Sequence, residues 1–149
     1  MDADTDFEKA KKLVEDTIAK LGLDAASCRA TSTEAQAAWT LKRGSASVLV
    51  TVTHHADRGE TFLRVASPVV TLPADTGKHG ALFRRLLEIN AAGLANAAFG
   101  LVGERVVAVS ERPAEGLDAE EVEQMVRHLA AVADTFDDRL EKEFGAPKA

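Results

Sequence analysis

The chain has 149 residues, of which 46% are hydrophobic and 28% charged, the composition of an ordinary water-soluble globular protein. Its net charge of −6 weighs against nucleic-acid binding, which needs clustered lysine and arginine, and a single tryptophan with no tyrosine leaves little surface for stacking bases or sugars. The length predicts one domain over residues 1–149, with an ordered core from about 5 to 144.

A first helix is predicted from Asp6 to Leu21. Thr5 and Glu8 have the spacing of a capping box, and Gly22 is a typical stop. The apolar residues recur at helical spacing and include Phe7, Ala10, Leu13, Val14 and Ile18.

Three strands are predicted next, at 36–42, 46–53 and 60–70, because apolar and polar residues alternate there. Short turns join them into an antiparallel meander. If the valines of the second strand face the helices, Leu49 faces the other way. In the third strand, Phe62 likewise points away from the side that carries Leu63 and Val65. A second sheet face carrying these two side chains is one that a partner can cover, although isolated exposed apolar residues are also ordinary.

The next helix is predicted from about residue 78 or 81 to Leu94, and its apolar residues cover a wide arc. A helix of this kind is buried on two sides, here against its own sheet and against a second copy of the chain. Strands at 97–102 and 106–109 follow, and then Asp118 is a good N-cap for a last helix over 119–144. The predicted order is α-βββ-α-ββ-α, an α+β fold with a mainly antiparallel sheet on which the N- and C-terminal helices pack.

The negative charge is concentrated near the C-terminal end. Residues 1–110 contain 13 acidic and 13 basic side chains, whereas residues 111–143 contain 11 acidic and 4 basic ones. Two interpretations stand: a solvated helix surface, partly explained by acidic residues at the helix N-terminus, or a surface that attracts a basic partner.

No motif points to a catalytic residue, a metal site or a cofactor. The loop at 77–80 lacks the spacing of a phosphate-binding loop, and Asp75-Thr76-Gly77 is a common pre-helix sequence. His54 and His55 point to opposite sides of a strand, and His128 is expected in solvent. The lone Cys28 excludes an intrachain disulfide.

Nothing near the N-terminus resembles a secretory signal, since the first residues are acidic. The longest nearly apolar stretch, 91–102, is too short to span a bilayer. A cytoplasmic protein with no membrane and no nucleic-acid partner is therefore expected.

The second half of the chain resembles a known family. Residues 83–90 form a leucine-rich helix that ends in Asn90, followed by Ala98-Phe99-Gly100-Leu101, a second strand, and a helix opened by Leu117-Asp118-Ala119-Glu120-Glu121. This arrangement is similar to that of YbjN-domain and type III secretion chaperone-like (Tir chaperone-like) proteins. The specific likeness covers residues 81–140, and the order of elements extends it to the rest.

The resemblance implies a non-enzymatic homodimer that binds an extended segment of another protein, either as a secretion chaperone or as a YbjN-like regulator. It implies a dimer interface at Leu82, Leu86, Ile89 and Phe99. It implies partner contact at Phe7, Val14, Leu49 and Phe62.

An alternative is a small-molecule-binding or enzymatic domain with a pocket between the C-terminal helix and the sheet. Such a pocket needs a few converging polar groups, and the sequence shows no obvious set.

Overall fold

A computed structural model describes the backbone of residues 2–149 and the side chains from Asp6 onward, so the Thr5 side chain of the predicted capping box lies outside the described residues. The elements are α1 (Asp2–Lys20), α2 (Ala25–Cys28), β1 (Arg29–Ser32), β2 (Gln36–Arg43), β3 (Ala46–His55), β4 (Glu60–Thr71), α3 (His79–Ala92), β5 (Ala98–Val102), β6 (Arg105–Pro113) and α4 (Ala119–Phe144).

The six strands form one antiparallel sheet in the order β1-β2-β3-β4-β6-β5. The α+β fold predicted from the sequence is confirmed. Side chains alternate across the sheet, so Val50 and Val65 face one side together while Leu49 and Ala66 face the other.

The helices cover one face of the sheet. Both α1 and α4 pack on β3 and β4 and against each other, and α3 packs on the edge strand β5. A contact of Arg85 with Glu143 (3.7 Å) and one of His128 with Leu94 place α3 antiparallel beside α4. The core lies between this helix layer and the sheet, where Trp39, Leu63 and Leu129 are fully buried.

The last helix has the bounds predicted from the sequence. At its start the Asp118 side chain accepts a hydrogen bond from the Glu121 N–H (2.9 Å), and the Glu121 carboxylate accepts one from the Asp118 N–H (3.0 Å). At its end Gly145 adopts a left-handed φ of 67°, which glycine tolerates without strain. The chain then returns to the sheet, where the Thr71 N–H donates to the Pro147 carbonyl (2.7 Å).

Two short elements, α2 and β1, stand where the sequence predicted only a connection. All four residues of β1 are exposed, and the strand is held by backbone pairing with β2, interrupted by a bulge between Arg29 and Thr31. An edge strand that buries no side chain leaves no alternating pattern, which is why it was missed. The first helix also begins at Asp2, four residues earlier than predicted.

Candidate protein-binding surfaces

The sheet side opposite the helices, here called the open face, is not covered by any described element. One row across it consists of Thr40, Leu49, Ala66, Val109 and Ala98, which are paired strand to strand. Leu49 is 39% exposed. Small neighbours leave this leucine standing above a shallow apolar surface about 19 Å wide, since strands lie about 4.8 Å apart.

Phe62 lies on the same face, one strand away from Leu49. Its ring is half-buried, with the His55 ring edge-on at 5.6 Å and the Arg58 guanidinium 5.7 Å from its centroid. Between Leu49 and Phe62, Thr51 pairs with Arg64, whose guanidinium lies 3.7 Å from the Glu111 carboxylate. The structure therefore brings Leu49 and Phe62 to one surface that mixes apolar, hydroxyl and charged groups.

Phe7 and Val14 lie elsewhere. Both point from α1 into the core and are only 4% and 1% exposed, on the helix side of the sheet. What α1 offers to solvent is a groove of about 470 Å³ beside the β6–α4 connection, lined by Ala10 and Leu13 with Lys9 at its rim.

The four residues named for the dimer interface are mostly interior. Leu82, Leu86 and Phe99 are at most 8% exposed, and Ile89 is half-buried. The exposed apolar side chains of this region are Leu87 (67%), Leu101 (47%) and Val102 (58%).

Leu87 and Leu101 lie on neighbouring elements at one edge of the molecule, whereas Val102 alternates with Leu101 and shares the open-face side of β5 with Ala98. Asn90 of α3 touches Phe99 of β5, and β5 runs back along the helix. From Phe99 to Leu101 the strand advances about 6.8 Å, and one turn of α3 back from Asn90 covers about 5.4 Å. Leu101 therefore lies level with the helical turn that carries Leu87. The wide apolar arc of α3 thus divides into a buried half and an uncovered half.

Asn90 has a defined role at this edge. Its side-chain amide donates to the Phe99 carbonyl (3.2 Å) and its oxygen accepts from the Phe99 N–H (2.8 Å). The amide thereby occupies backbone groups that an additional strand would use. In the sequence this asparagine marks the end of the leucine-rich helix, but nothing in the local pattern indicates its contact with Phe99.

Four acidic side chains of α4 pair with basic side chains, most of which come from other elements. Hydrogen bonds from Arg127 and from Lys20 (3.0 Å) hold the pKa of Glu123 below its ordinary value. A hydrogen bond from Lys148 likewise lowers the pKa of Asp138. Further pairs join Arg112 with Glu121 and Arg85 with Glu143. This pairing favours the interpretation of α4 as a solvated, internally compensated surface.

A cavity of about 270 Å³ lies between α4, β6 and the α3–β5 turn. One of its walls is His128, for which the sequence predicted solvent. The ring is instead half-buried, and its Nε2 donates a hydrogen bond to the Leu94 carbonyl (2.6 Å). This contact joins residues 34 positions apart, so the local helix pattern could not reveal it.

The other histidines do not come together. His54 Nδ1 contacts the Thr61 hydroxyl (3.1 Å), and His79 Nε2 donates to the Pro73 carbonyl (2.7 Å). Among the described residues no group of three potential metal ligands is found. No helix in the described part of the chain combines the length and apolarity needed to cross a membrane.

Comparison with known proteins identifies the family. The family model described as TY-Chap1, T3SS (YopN, CesT) and YbjN peptide-binding chaperone 1, matches residues 8–148. The chain therefore belongs to this family of peptide-binding chaperones, and the resemblance seen in the sequence is confirmed. None of the curated proteins compared with the chain matches it.

Three solved structures share the fold. The crystal structure of the ExsC–ExsE complex matches with a TM-score of 0.64 and 20% identity, over 88% of this chain and 92% of that one. The HopA1–SchA chaperone–effector complex gives 0.57 and 16%, over 89% and 94%. The heterodimeric ExoU–SpcU complex from the type III secretion system of Pseudomonas aeruginosa gives 0.59 and 16%, over 86% and 98%.

Proposed function

We propose that the chain is a non-enzymatic, cytoplasmic module that holds an extended segment of a partner protein on the open face. The observation that carries the proposal is the uncovered surface around Leu49 and Phe62 in a chain of a peptide-binding chaperone family. Complexes of related fold support it, since one is described as a chaperone–effector complex. Phe7 and Val14, being buried, contribute by fixing α1 rather than by touching the partner.

The surface defines the chemistry of the segment. Leu49 provides a raised apolar contact, and Phe62 provides a ring flanked by Arg58. Hydroxyl groups of Thr40, Thr51 and Thr53 lie beside them and offer donors and acceptors. A segment with apolar residues two positions apart, alternating with hydrogen-bonding ones, matches this face when it is extended.

The same chain acts as a homodimer in this proposal. Leu87 and Leu101 form the contact surface, and Leu82, Leu86 and Phe99 support it from beneath. A monomer seldom leaves neighbouring large apolar side chains in water without a partner. A stable dimer requires an interface of more than about 1,000 Å² centred on these residues.

Two versions of this role differ in the partner. As a type III secretion chaperone the chain binds a secreted effector, and as a YbjN-like regulator it binds a protein that stays in the cell. The same surfaces suit a secretion chaperone and a YbjN-like regulator. Identifying the bound partner distinguishes these two roles.

The binding site is tested with peptides. Extended peptides selected from a random library on the immobilised protein are titrated into labelled protein while amide chemical shifts are followed. The proposal expects the largest changes at β3 and β4 around Leu49 and Phe62. Saturable changes confined to α3 and β5, or no selected peptide at all, would contradict it.

A further inference from the structure

The largest side chain of the core lies beneath a segment that buries none of its own residues. Trp39 of β2 is fully buried on the helix-facing side of the sheet, where it pairs with Val50 of β3. The short helix α2 packs on β2, and Arg29, which follows α2, places its guanidinium 5.9 Å from the centroid of the Trp39 ring. The segment formed by α2 and β1, residues 25–32, is here called the flap.

The flap is held by weak contacts. None of its residues is buried, and the backbone pairing of β1 with β2 is interrupted by a bulge. Ala25 and Cys28 pack half-buried against the core. Arg29 forms an ion pair with Glu15 of α1 in addition to its contact with the Trp39 ring. Since exposed ion pairs and exposed cation–π contacts each contribute little, and segments with few buried apolar contacts open locally, the flap is a region of low local stability.

Trp39 also carries a polar group that the closed flap leaves without a partner. Among the side chains that the structure describes, the indole Nε1 of Trp39 is the one buried nitrogen or oxygen atom with no hydrogen-bond partner. An unpartnered buried donor raises the free energy of the state that buries it. A state in which water reaches the indole N–H recovers this hydrogen bond, and the recovery offsets part of the cost of separating the flap from the core.

We propose that the flap is a lid over Trp39, which opens while the rest of the sheet stays folded and lets water accept a hydrogen bond from the indole N–H. Arg29 is the latch of the closed lid, because it contacts both Glu15 and Trp39. The open state exposes the Trp39 ring and the edge of β2 that β1 covers in the closed state. The lid lies at the end of the sheet opposite β5, and its opening does not depend on whether a segment binds to the open face.

Hydrogen exchange in the native protein tests the lid. Trp39 is the only tryptophan of the chain, so its indole N–H gives a single signal in a nitrogen–proton spectrum. Because this proton has no hydrogen bond, only burial protects it, and its exchange measures how often water reaches it. The amides of β4, a strand paired on both sides, report global unfolding in the same sample. Exchange is followed at several urea concentrations below the unfolding transition.

The proposal expects the indole N–H to be at least about 100-fold less protected than the slowest β4 amides, each relative to its exchange rate in an unfolded peptide. Its exchange should depend weakly on urea, because lid opening exposes little surface. Arg29→Met retains an unbranched apolar stem but removes both latch contacts, and it should speed indole exchange about three- to tenfold. Glu15→Gln removes only the ion pair and should have a smaller effect. The matched control Lys12→Met removes an exposed ion pair of α1 with Asp16 (2.8 Å) and should leave indole exchange unchanged.

Three results overturn the proposal. The first is an indole N–H with the protection and urea dependence of the β4 amides, since Trp39 is then exposed only by global unfolding. The second is an unprotected indole N–H in the wild type, since no closed lid then exists. The third is an equal effect of Arg29→Met and Lys12→Met. The β4 amides of each variant measure its global stability, which separates lid opening from a general loss of stability.

Discussion

Replacing Leu87 by aspartate should separate the proposed dimer without unfolding the subunit. The side chain is 67% exposed in the single chain, so the isolated subunit loses almost no packing. Full burial of a leucine contributes about 1.5–3 kcal/mol, and two-thirds of that is about 1–2 kcal/mol. A two-fold interface contains the residue twice, which gives about 2–4 kcal/mol per dimer. The dimer Kd should therefore rise by at least about 30- to 700-fold, with the cost of burying a carboxylate in addition.

Sedimentation of the wild type and the variant over a range of concentrations measures this change. Leu49→Asp is the matched control, because it places the same charge on the open face and should leave the dimer intact. Leu86→Asp is not a suitable probe, since Leu86 is 5% exposed and the change destabilises the subunit itself. A monomeric wild type, or Leu87→Asp with an unchanged dimer Kd, refutes the reasoning.

Four further outcomes are expected from single changes. Asn90→Ala should lower the free energy of unfolding by about 1–3 kcal/mol and promote aggregation through the freed β5 edge, as measured by denaturant titration and light scattering. Leu129→Ala, at a fully buried site, should cost about 2–5 kcal/mol in the same titration. Asp118→Ala removes a helix cap and should cost about 0.5–2 kcal/mol, whereas Asp118→Asn retains most of it. The pKa of Glu123 is lower in the folded than in the unfolded state, so its ionised carboxylate stabilises the fold above the unfolded-state pKa. This stabilisation is lost as the pH falls through the folded-state pKa. Glu123→Gln should therefore reduce the fall in Tm on acidification, as measured by thermal unfolding at several pH values.

Local signals predicted the fold well where each element carries its own pattern. The last helix has a cap at Asp118, an apolar stripe and a stop at Gly145, and its bounds were predicted correctly. The strands of the meander alternate clearly because one side of each is buried, as in β3. The edge strand β1 has no buried side chain, so only its backbone pairing defines it.

The candidate surfaces were less predictable because they depend on which half of an apolar element is covered. In α3 the sequence contains Leu86 and Leu87 side by side, and only packing beside α4 decides that the first is buried and the second exposed. Likewise, the cavity beside Ser110 is formed by residues from three distant segments, among them His128, and no spacing in the chain indicates that they meet.

The central claim is that the open face binds the partner segment. The most direct test compares the affinity for a selected extended peptide among the wild type, Leu49→Asp and Leu87→Asp. If the partner lies on the open face, Leu49→Asp buries a carboxylate against apolar peptide groups and should weaken binding at least about tenfold. Leu87→Asp, on the other side of the molecule, should leave the affinity per subunit unchanged. Equal affinity of the wild type and Leu49→Asp would contradict the assignment of the open face as the peptide-binding surface.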